Sequence, residues 1–155
     1  MNAIYFLCGE GRKKRPQTWS VRETERLFEL GERALQSVLN REIVNPYSNT
    51  KEKGRRLDKK NLIEILIMKK LRWFGIDYKT IKMILEDIEF LCFLMQKHNY
   101  SFASYILGGD EDKGFLLIDG KPVGGNSNKR NMFYLSIDLV ESLKQLELIL
   151  KENKK

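Results

Sequence analysis

Residues 61–85 read NLIEILIMKKLRWFGIDYKTIKMIL, a stretch in which apolar side chains recur at three- and four-residue steps on both sides of Gly75. This spacing is typical of amphipathic helices, and glycine is the usual residue just beyond a helix C-terminus. Asp58 and Asp77 precede the two apolar runs, and aspartate is a favoured N-cap residue. The stretch therefore predicts two consecutive helices joined by a tight turn.

Two shorter helices and a basic loop are predicted upstream of this stretch. Ser20, followed by Glu23 three residues later, forms a capping-box pattern that marks a helix start. Gly31 marks a turn, and the Asn-Pro pair at 45–46 ends a second short helix. Residues 47–57, YSNTKEKGRRL, are polar and basic and predict a hairpin-like loop.

The second half of the chain predicts one more helix, short strands and a last helix. The helix after Asp77 is expected to continue as a connecting helix over 88–107. Apolar residues at 115–118 and 122–123, with Asp-Gly between them, predict a β-hairpin, and residues 132–137 predict a third strand. The last helix carries four leucines at heptad spacing, Leu139, Leu143, Leu146 and Leu150.

The predicted fold class is mainly α with a small β component. The first part of the chain has the element order of a winged helix-turn-helix domain, namely helix, turn, helix, basic hairpin and helix. We expect this domain over residues 16–87. A flexible basic arm is expected at 1–15, ahead of this domain. The connecting helix at 88–107 and a C-terminal hairpin and helix at 108–155 follow it.

The positive charge of the chain is concentrated in its first part. The net charge is +7, and residues 1–87 hold 19 Lys and Arg against 12 Asp and Glu, whereas residues 88–155 hold nine of each. Within 51–82 there are 11 basic residues against four acidic ones. A basic segment joined to a neutral one is typical of a nucleic-acid-binding module attached to another function.

Membrane, metal and catalytic functions find no support in the sequence. No apolar run approaches the roughly 20 residues of a membrane span, and the apolar patch at 4–8 is shorter than the core of a signal peptide. Cys8 and Cys92 lie too far apart for a metal-binding motif. We therefore expect a cytoplasmic protein that is not an enzyme and uses no metal or cofactor.

The chain resembles the MerR family of bacterial transcription regulators. Residues 61–85 are similar, without a gap, to the family pattern D-L-x-x-L-x-x-I-K-x-L-R-x-x-G-[FIM]-x-x-x-x-I-K-x-x-L. The matching residues are Leu62, Ile65, Met68, Lys69, Leu71, Arg72, Gly75, Ile76, Ile81, Lys82 and Leu85. WSVRE at 19–23 resembles the family opening [YF]-[ST]-I-x-E, and Pro46 matches the proline before the wing. The similarity covers about 19–87.

The chain departs from the family at three places in its first two helices, the first of which is Glu25, where the family has a small alanine. The family has R-Y-Y-E after R-T-L, whereas Gln36 and the three residues after it read QSVL here. Glu29 stands where the family has its turn glycine. The resemblance implies a DNA-binding domain that acts as a homodimer and bends and untwists promoter DNA. RNA polymerase is a further expected partner. The sequence does not identify an effector.

The predicted DNA contacts follow from placing the second helix in the major groove. There Arg33 would pair with guanine and Gln36 with adenine, beside Ser37. Ser20 at a helix N-terminus would offer N–H groups to a phosphate. The remaining predicted contacts are basic residues of the wing and the following helix, Lys51, Lys53, Arg55, Arg56, Lys69 and Lys70.

Alternative interpretations stay open at several positions. The four leucines of the last helix are predicted to form a dimer seam, and the alternative is that this helix packs on the 115–137 hairpin of its own chain. Trp19, Trp73 and Phe74 are expected in the core rather than as ligand-stacking residues. Two other functions compete with transcription regulation, namely an excisionase-like architectural DNA-binding factor and a protein–protein adaptor with a degenerate helix-turn-helix.

Overall fold

The computed structural model describes residues 16–31, 33–50, 54–95, 103–108, 114–118, 121–123 and 134–153. In these ranges the chain forms five helices and seven strands. In chain order they are β1 (Trp19–Ser20), α1 (Val21–Leu27), α2 (Ala34–Asn40), β2 (Ser48–Thr50), β3 (Gly54–Leu57), α3 (Lys59–Trp73), α4 (Tyr78–Met95), β4 (Ala103–Gly108), β5 (Phe115–Ile118), β6 (Lys121–Val123), β7 (Tyr134–Asp138) and α5 (Leu139–Glu152). The predicted mainly helical fold with a small β component is confirmed. The predicted basic arm at 1–15 lies outside the described residues.

The described residues divide into two compact units. The helical unit comprises residues 16–82 and 144–153, and the sheet unit comprises the described residues from 83 to 143. The region predicted as one C-terminal piece at 108–155 is thus shared between the two units. None of the helices in the described ranges has the length and apolar character needed to cross a membrane.

A capping box begins α1, as the sequence predicts. The Ser20 hydroxyl accepts a hydrogen bond from the Glu23 N–H at 3.2 Å, and the Ser20 N–H donates to Glu23 Oε2 at 2.6 Å. After α1 the chain turns through Glu29 and Arg33, whose φ angles of 51° and 72° lie in the left-handed region. α2 ends at Asn40, before the Asn-Pro pair predicted as its end.

The basic hairpin is part of a three-stranded antiparallel sheet in which β3 lies between β1 and β2. Trp19 pairs with Leu57 across the first interface, and Asn49 pairs with Arg55 across the second. Gly54 begins β3 with a φ of 63°, which glycine adopts without steric cost. The hairpin is the predicted one, whereas β1 is too short to leave a sequence pattern.

Helix α3 is the centre of the helical unit, because every side chain from 60 to 68 is buried. Buried polar side chains need partners inside the protein. Lys60 Nζ donates to Glu64 Oε1 at 2.8 Å, and the Asn61 side-chain amide donates to Glu64 Oε2 at 3.1 Å. Asp58 caps the helix by accepting from the Asn61 N–H at 3.0 Å, as predicted.

Gly75 ends α3 in the manner that the sequence predicts. Its φ is 82°, and its N–H donates to the Arg72 carbonyl at 2.9 Å. The next N–H, that of Ile76, donates to the Leu71 carbonyl at 3.1 Å. These two bonds form a Schellman motif, which satisfies carbonyls at the helix end and requires a left-handed residue.

Replacing Gly75 by Ala should lower the free energy of unfolding by about 1 kcal/mol, because an alanine Cβ is strained at positive φ. In a domain of this size we expect the thermal midpoint to fall by roughly 3 °C. Open space surrounds both Gly75 and Gly31, but only Gly75 has a positive φ. Gly31→Ala is therefore the matched control, and equal midpoints for the two variants would contradict the assignment.

The sheet unit contains a four-stranded antiparallel sheet with the order β6-β5-β4-β7. The predicted hairpin is β5–β6, in which Ile118 pairs with Lys121, and the predicted third strand is β7. The connecting helix predicted over 88–107 is wrong in its last part, since residues 103–108 form β4. As a central strand, β4 buries Ser104, Tyr105 and Leu107, and a short apolar run of this kind has no periodicity that separates strand from helix.

The four leucines of α5 pack inside one chain to a large extent. Leu139 and Leu146 are completely buried and Leu143 is 3% exposed, whereas Leu150 is half-buried. In the helical unit, α5 is also tied to α3 by a bond of 3.0 Å from Lys59 Nζ to Glu147 Oε1. The alternative of intramolecular packing therefore describes the first three leucines better than a dimer seam.

Trp73 and Phe74 are not core residues, and that prediction is wrong. Trp73 is 82% exposed and Phe74 is 69% exposed. The apolar pattern of α3 stops at Leu71, which is buried, and the two aromatic residues occupy the helix end and its C-cap. The apolar periodicity describes one face of the helix, and Trp73 and Phe74 lie beyond the last buried residue of that face.

Candidate nucleic-acid interface

Helix α2 presents polar side chains on one face and apolar side chains on the other. Leu35, Val38 and Leu39 are buried against the rest of the chain. Gln36 and Asn40 lie one turn apart on the opposite, exposed face. Arg33 is exposed at the N-cap, and Ser37 is half-buried. The structure therefore brings Arg33 and Gln36 together on an accessible surface, with Ser37 at its margin.

An open groove of about 670 Å³ runs between α1 and α2. Arginines and glutamates alternate along it, so positive and negative side chains are interspersed. The charged residues in its lining are Arg22, Arg26, Arg33, Glu25 and Glu29. Over 19–46 the sequence carries four arginines against five glutamates. The helix pair thus offers arginines for specific contacts, and the positive excess lies in the residues after it.

The β2–β3 hairpin is fixed to both helices by its two arginines. Arg55 Nη1 donates to the Asn40 side-chain oxygen at 2.7 Å, which joins β3 to the end of α2. Arg56 donates to the Thr18 hydroxyl at 3.2 Å and to the Thr18 carbonyl at 2.9 Å, and its guanidinium lies 3.8 Å from the Glu23 carboxylate. Both arginines are half-buried, so each holds the hairpin in place as well as carrying charge.

Other predicted DNA contacts already bond within the chain. The Ser20 N–H is taken by the Glu23 carboxylate, so it does not offer a donor to a phosphate in this conformation. Lys69 Nζ donates to the Phe28 carbonyl, and Lys70 Nζ donates to the side chain of Gln145. These two lysines connect α3 to the end of α1 and to α5. The predicted contacts Lys51 and Lys53 lie outside the described residues.

Hydrogen bonding lowers the pKa of the Glu23 carboxyl below its usual range. The main cause is the backbone N–H of Ser20, followed by the Ser20 hydroxyl, and the nearby Arg56 adds a smaller effect. A carboxyl with a lowered pKa stabilises the fold above its ordinary pKa and loses this contribution as the pH falls through the lowered value. The charged capping box is therefore intact at neutral pH.

Sequence reasoning missed Asn40 and the two arginines of α1. No sequence motif marks Asn40. Its side chain accepts a hydrogen bond from Arg55, which is 15 residues away in sequence. Arg22 and Arg26 stand four residues apart on α1, a spacing that places both on one helix face. The sequence shows this spacing. It does not show the groove that Arg22 and Arg26 share with Arg33, because that groove depends on how α1 and α2 pack.

The described residues contain no group of three or more side chains suited to hold a metal ion. Neither the models of known protein families nor the curated proteins contain a match to this chain.

Proposed function

We propose that this protein is a sequence-specific double-stranded DNA-binding regulator of transcription, of MerR-like type, that acts as a homodimer on promoter DNA. The observation that carries the proposal is the exposed pair Arg33 and Gln36 on α2, beside a hairpin that Arg55 ties to the end of the same helix. A helix flanked by a hairpin is the arrangement with which winged helix-turn-helix domains meet DNA.

The side chains on the exposed face of α2 suit the edges of base pairs. An arginine can donate two parallel hydrogen bonds to guanine O6 and N7, and a glutamine can pair with adenine N6 and N7. Arg33 and Gln36 are both exposed and close in sequence. In this proposal they read adjacent bases in the major groove, while Arg55 and Arg56 carry positive charge toward the neighbouring phosphates.

The backbone supports the resemblance to MerR-type regulators at one place where the sequence departs from the family. Glu29 occupies the position of the family's turn glycine, and its φ is 51°. Glycine is the residue that adopts this region without steric cost. The turn conformation that the family's glycine favours is therefore present here with a different residue.

The bending mechanism is carried over from the resemblance. A bend of tens of degrees costs DNA roughly 1–6 kcal/mol, which further protein contacts repay. Two half-sites bound by a homodimer would supply those contacts and would add specificity. Since Leu139, Leu143 and Leu146 are buried in the single chain, the dimer needs other apolar side chains. Phe90 and Phe93 on α4 are 59% and 50% exposed and lie on one face of the helix.

A protein–protein adaptor is the second candidate function, because one observation favours it. The helix pair over 19–46 has more glutamates than arginines, whereas a DNA-reading surface is normally rich in positive charge. An excisionase-like architectural factor is the third candidate. Such factors are usually shorter, and the sheet unit favours a regulator over them.

Selection of bound sequences from a pool of random duplexes tests the proposal. We expect the wild-type chain to enrich one sequence arranged as two half-sites. Arg33→Ala should weaken binding to that sequence by about ten-fold and flatten the preference at one position, since one bidentate pair is lost. Replacing Arg55 and Arg56 together by Ala should weaken binding to all sequences alike.

Lys151→Ala is the matched control, since it removes an exposed positive charge from α5. Because Arg55 and Arg56 also anchor the hairpin, circular dichroism must show that their double variant is folded. An Arg33→Ala variant with unchanged affinity and unchanged preference would refute the proposed docking of α2.

A further inference from the structure

Trp73 and Phe74 form the most exposed aromatic surface in the described part of the helical unit. Trp73 is 82% exposed and Phe74 is 69% exposed, whereas Leu71, the preceding apolar residue of α3, is buried. Large aromatic side chains contribute strongly to binding when a partner covers them. Two of them side by side in water therefore mark this end of α3 as a binding surface.

The two rings form a corner rather than a flat face. Their centres lie 5.0 Å apart, and the ring planes stand at 80° to each other. An aliphatic or aromatic side chain placed in this corner contacts both rings at once, whereas a flat group stacks on only one of them. The geometry therefore suits a partner that inserts a single apolar side chain.

The turn behind the pair has a fixed backbone. The Schellman motif at Gly75 sets the path of the chain after Phe74. Across the same turn, the Arg72 guanidinium donates to the Ile76 carbonyl at 2.9 Å. A rigid turn loses little entropy when it binds, so more of the contact energy contributes to affinity.

The segment that carries the pair is strongly basic. Residues 69–82 hold five Lys and Arg against one acidic residue, Asp77. The Asp77 carboxylate accepts hydrogen bonds from the Thr80 hydroxyl at 2.6 Å and from the Thr80 N–H at 3.0 Å, and these bonds lower its pKa. Arg72 and Lys79 are exposed. The turn therefore favours a partner that carries negative charge.

Two guanidinium groups lie against the ring of Tyr78, at the start of α4. The Arg72 Cζ atom lies 4.6 Å from the ring centre, and the Arg41 Cζ atom lies 5.3 Å from it. An arginine held against an aromatic ring can still donate to a carboxylate from the edge of its plane. An acidic side chain beside the inserted apolar one would thus meet donors that are already in position.

We propose that the Trp73–Phe74 turn docks an acidic segment of a partner protein, which places one apolar side chain in the aromatic corner and a carboxylate on Arg72 or Arg41. This inference goes beyond DNA binding and does not depend on it. Duplex DNA suits the corner less well, because neighbouring bases cover the flat face of each base and must be unstacked before an apolar group meets it. An acidic peptide exposes both kinds of group.

A library of short random peptides, displayed on phage, is the probe for this surface. The library is selected on the full-length wild-type chain after depletion on the variant in which Trp73 and Phe74 are both Ala. We expect the enriched peptides to combine Asp or Glu with one Leu, Phe or Trp. No enrichment over the depleted library, or enriched peptides without acidic residues, would overturn the proposal.

The affinity for one enriched peptide, labelled and followed by fluorescence anisotropy, measures the contribution of each group. Replacing Trp73 and Phe74 together by Ala should weaken peptide binding roughly thirty-fold, as loss of central contact residues does. Lys79→Ala should weaken it about two-fold, as loss of an exposed charge pair does. The control is Leu148→Ala, which removes an apolar side chain of α5 that is 57% exposed. An equal loss in this control would refute a specific role of the aromatic pair.

The emission of Trp73 gives a readout that does not depend on the folding of the double variant. The chain has two tryptophans, so Trp73 is the sole tryptophan in a Trp19→Phe variant. Addition of the enriched peptide should shift this emission to shorter wavelength and shield it from acrylamide. Unchanged emission at saturating peptide would contradict docking at the turn.

Two further outcomes would assign the pair to another partner and overturn the proposal. A duplex of random sequence that shields Trp73 and displaces the peptide would make the pair a DNA contact. Trp73 emission that changes with protein concentration alone would make it a contact between two copies of the chain. We expect the double variant of Trp73 and Phe74 to lose the peptide and to keep the wild-type affinity for duplex DNA, so the two proposals fail separately.

Discussion

Gly114→Ala should lower the midpoint of thermal unfolding by about 10 °C, as expected for a loss of roughly 3 kcal/mol in a chain of this length. An alanine Cβ at this position would stand 2.5 Å from the carbonyl oxygen of Ile106 and still closer to the end of the Tyr105 ring. The carbonyl belongs to the central strand β4 and has no freedom to move aside.

The Tyr105 ring has no space to move into either. It is completely buried, and its hydroxyl donates to Asp87 Oδ2 at 2.6 Å. The same oxygen accepts the Gly114 N–H at 2.7 Å, so one carboxylate joins α4, β4 and the start of β5. Burial, with the adjacent Asp87 as a smaller cause, raises the pKa of the Tyr105 hydroxyl well above its usual value, so that it remains a donor.

Calorimetry of Gly114→Ala and Gly31→Ala checks this prediction. Gly31 has open space where the Cβ would be placed, and its φ is not positive. The Gly31 variant should therefore unfold within a few degrees of the wild-type midpoint. A Gly114 variant as stable as the Gly31 variant would contradict the packing of Tyr105 against the backbone at Gly114.

The parts of the fold that sequence could predict are those set by local chemistry. Ser20, Asp58 and Gly75 act on backbone groups within a few residues, and each begins or ends a helix where expected. The strand β4 could not be predicted, because its pairing partners are distant in sequence and its apolar run fits either a strand or a helix.

Burial at the candidate site was harder to predict than secondary structure. Leucines at heptad spacing indicate an apolar helix face, but they do not indicate whether the same chain or a second copy covers it. Leu139 and Leu146 are buried by other residues of the same chain. Lys69 and Lys70 count as positive charge in the sequence, whereas the structure engages both in bonds to the rest of the chain. The exposure of Arg33 and Gln36 was predictable. Leu35, Val38 and Leu39 recur at helical spacing and form the buried face of α2, which leaves the other two side chains on the exposed face.

The affinity for duplex DNA should fall about a thousand-fold between 50 and 200 mM salt. Each arginine or lysine that meets a phosphate releases condensed counterions, and a homodimer with about six such contacts has a slope of roughly −5 in log affinity against log salt. The candidate contacts in each chain include Arg22, Arg26 and Arg55. An adaptor that reads a protein partner would show no such slope for DNA.

Binding of the full-length chain to a labelled duplex of random sequence, measured by fluorescence anisotropy across this salt range, tests the DNA-binding function most directly. We expect saturable binding at 50 mM salt and a linear, steep decrease in log affinity as the salt concentration rises. No binding at 50 mM salt, or an affinity that stays constant up to 200 mM, would contradict the DNA-binding function.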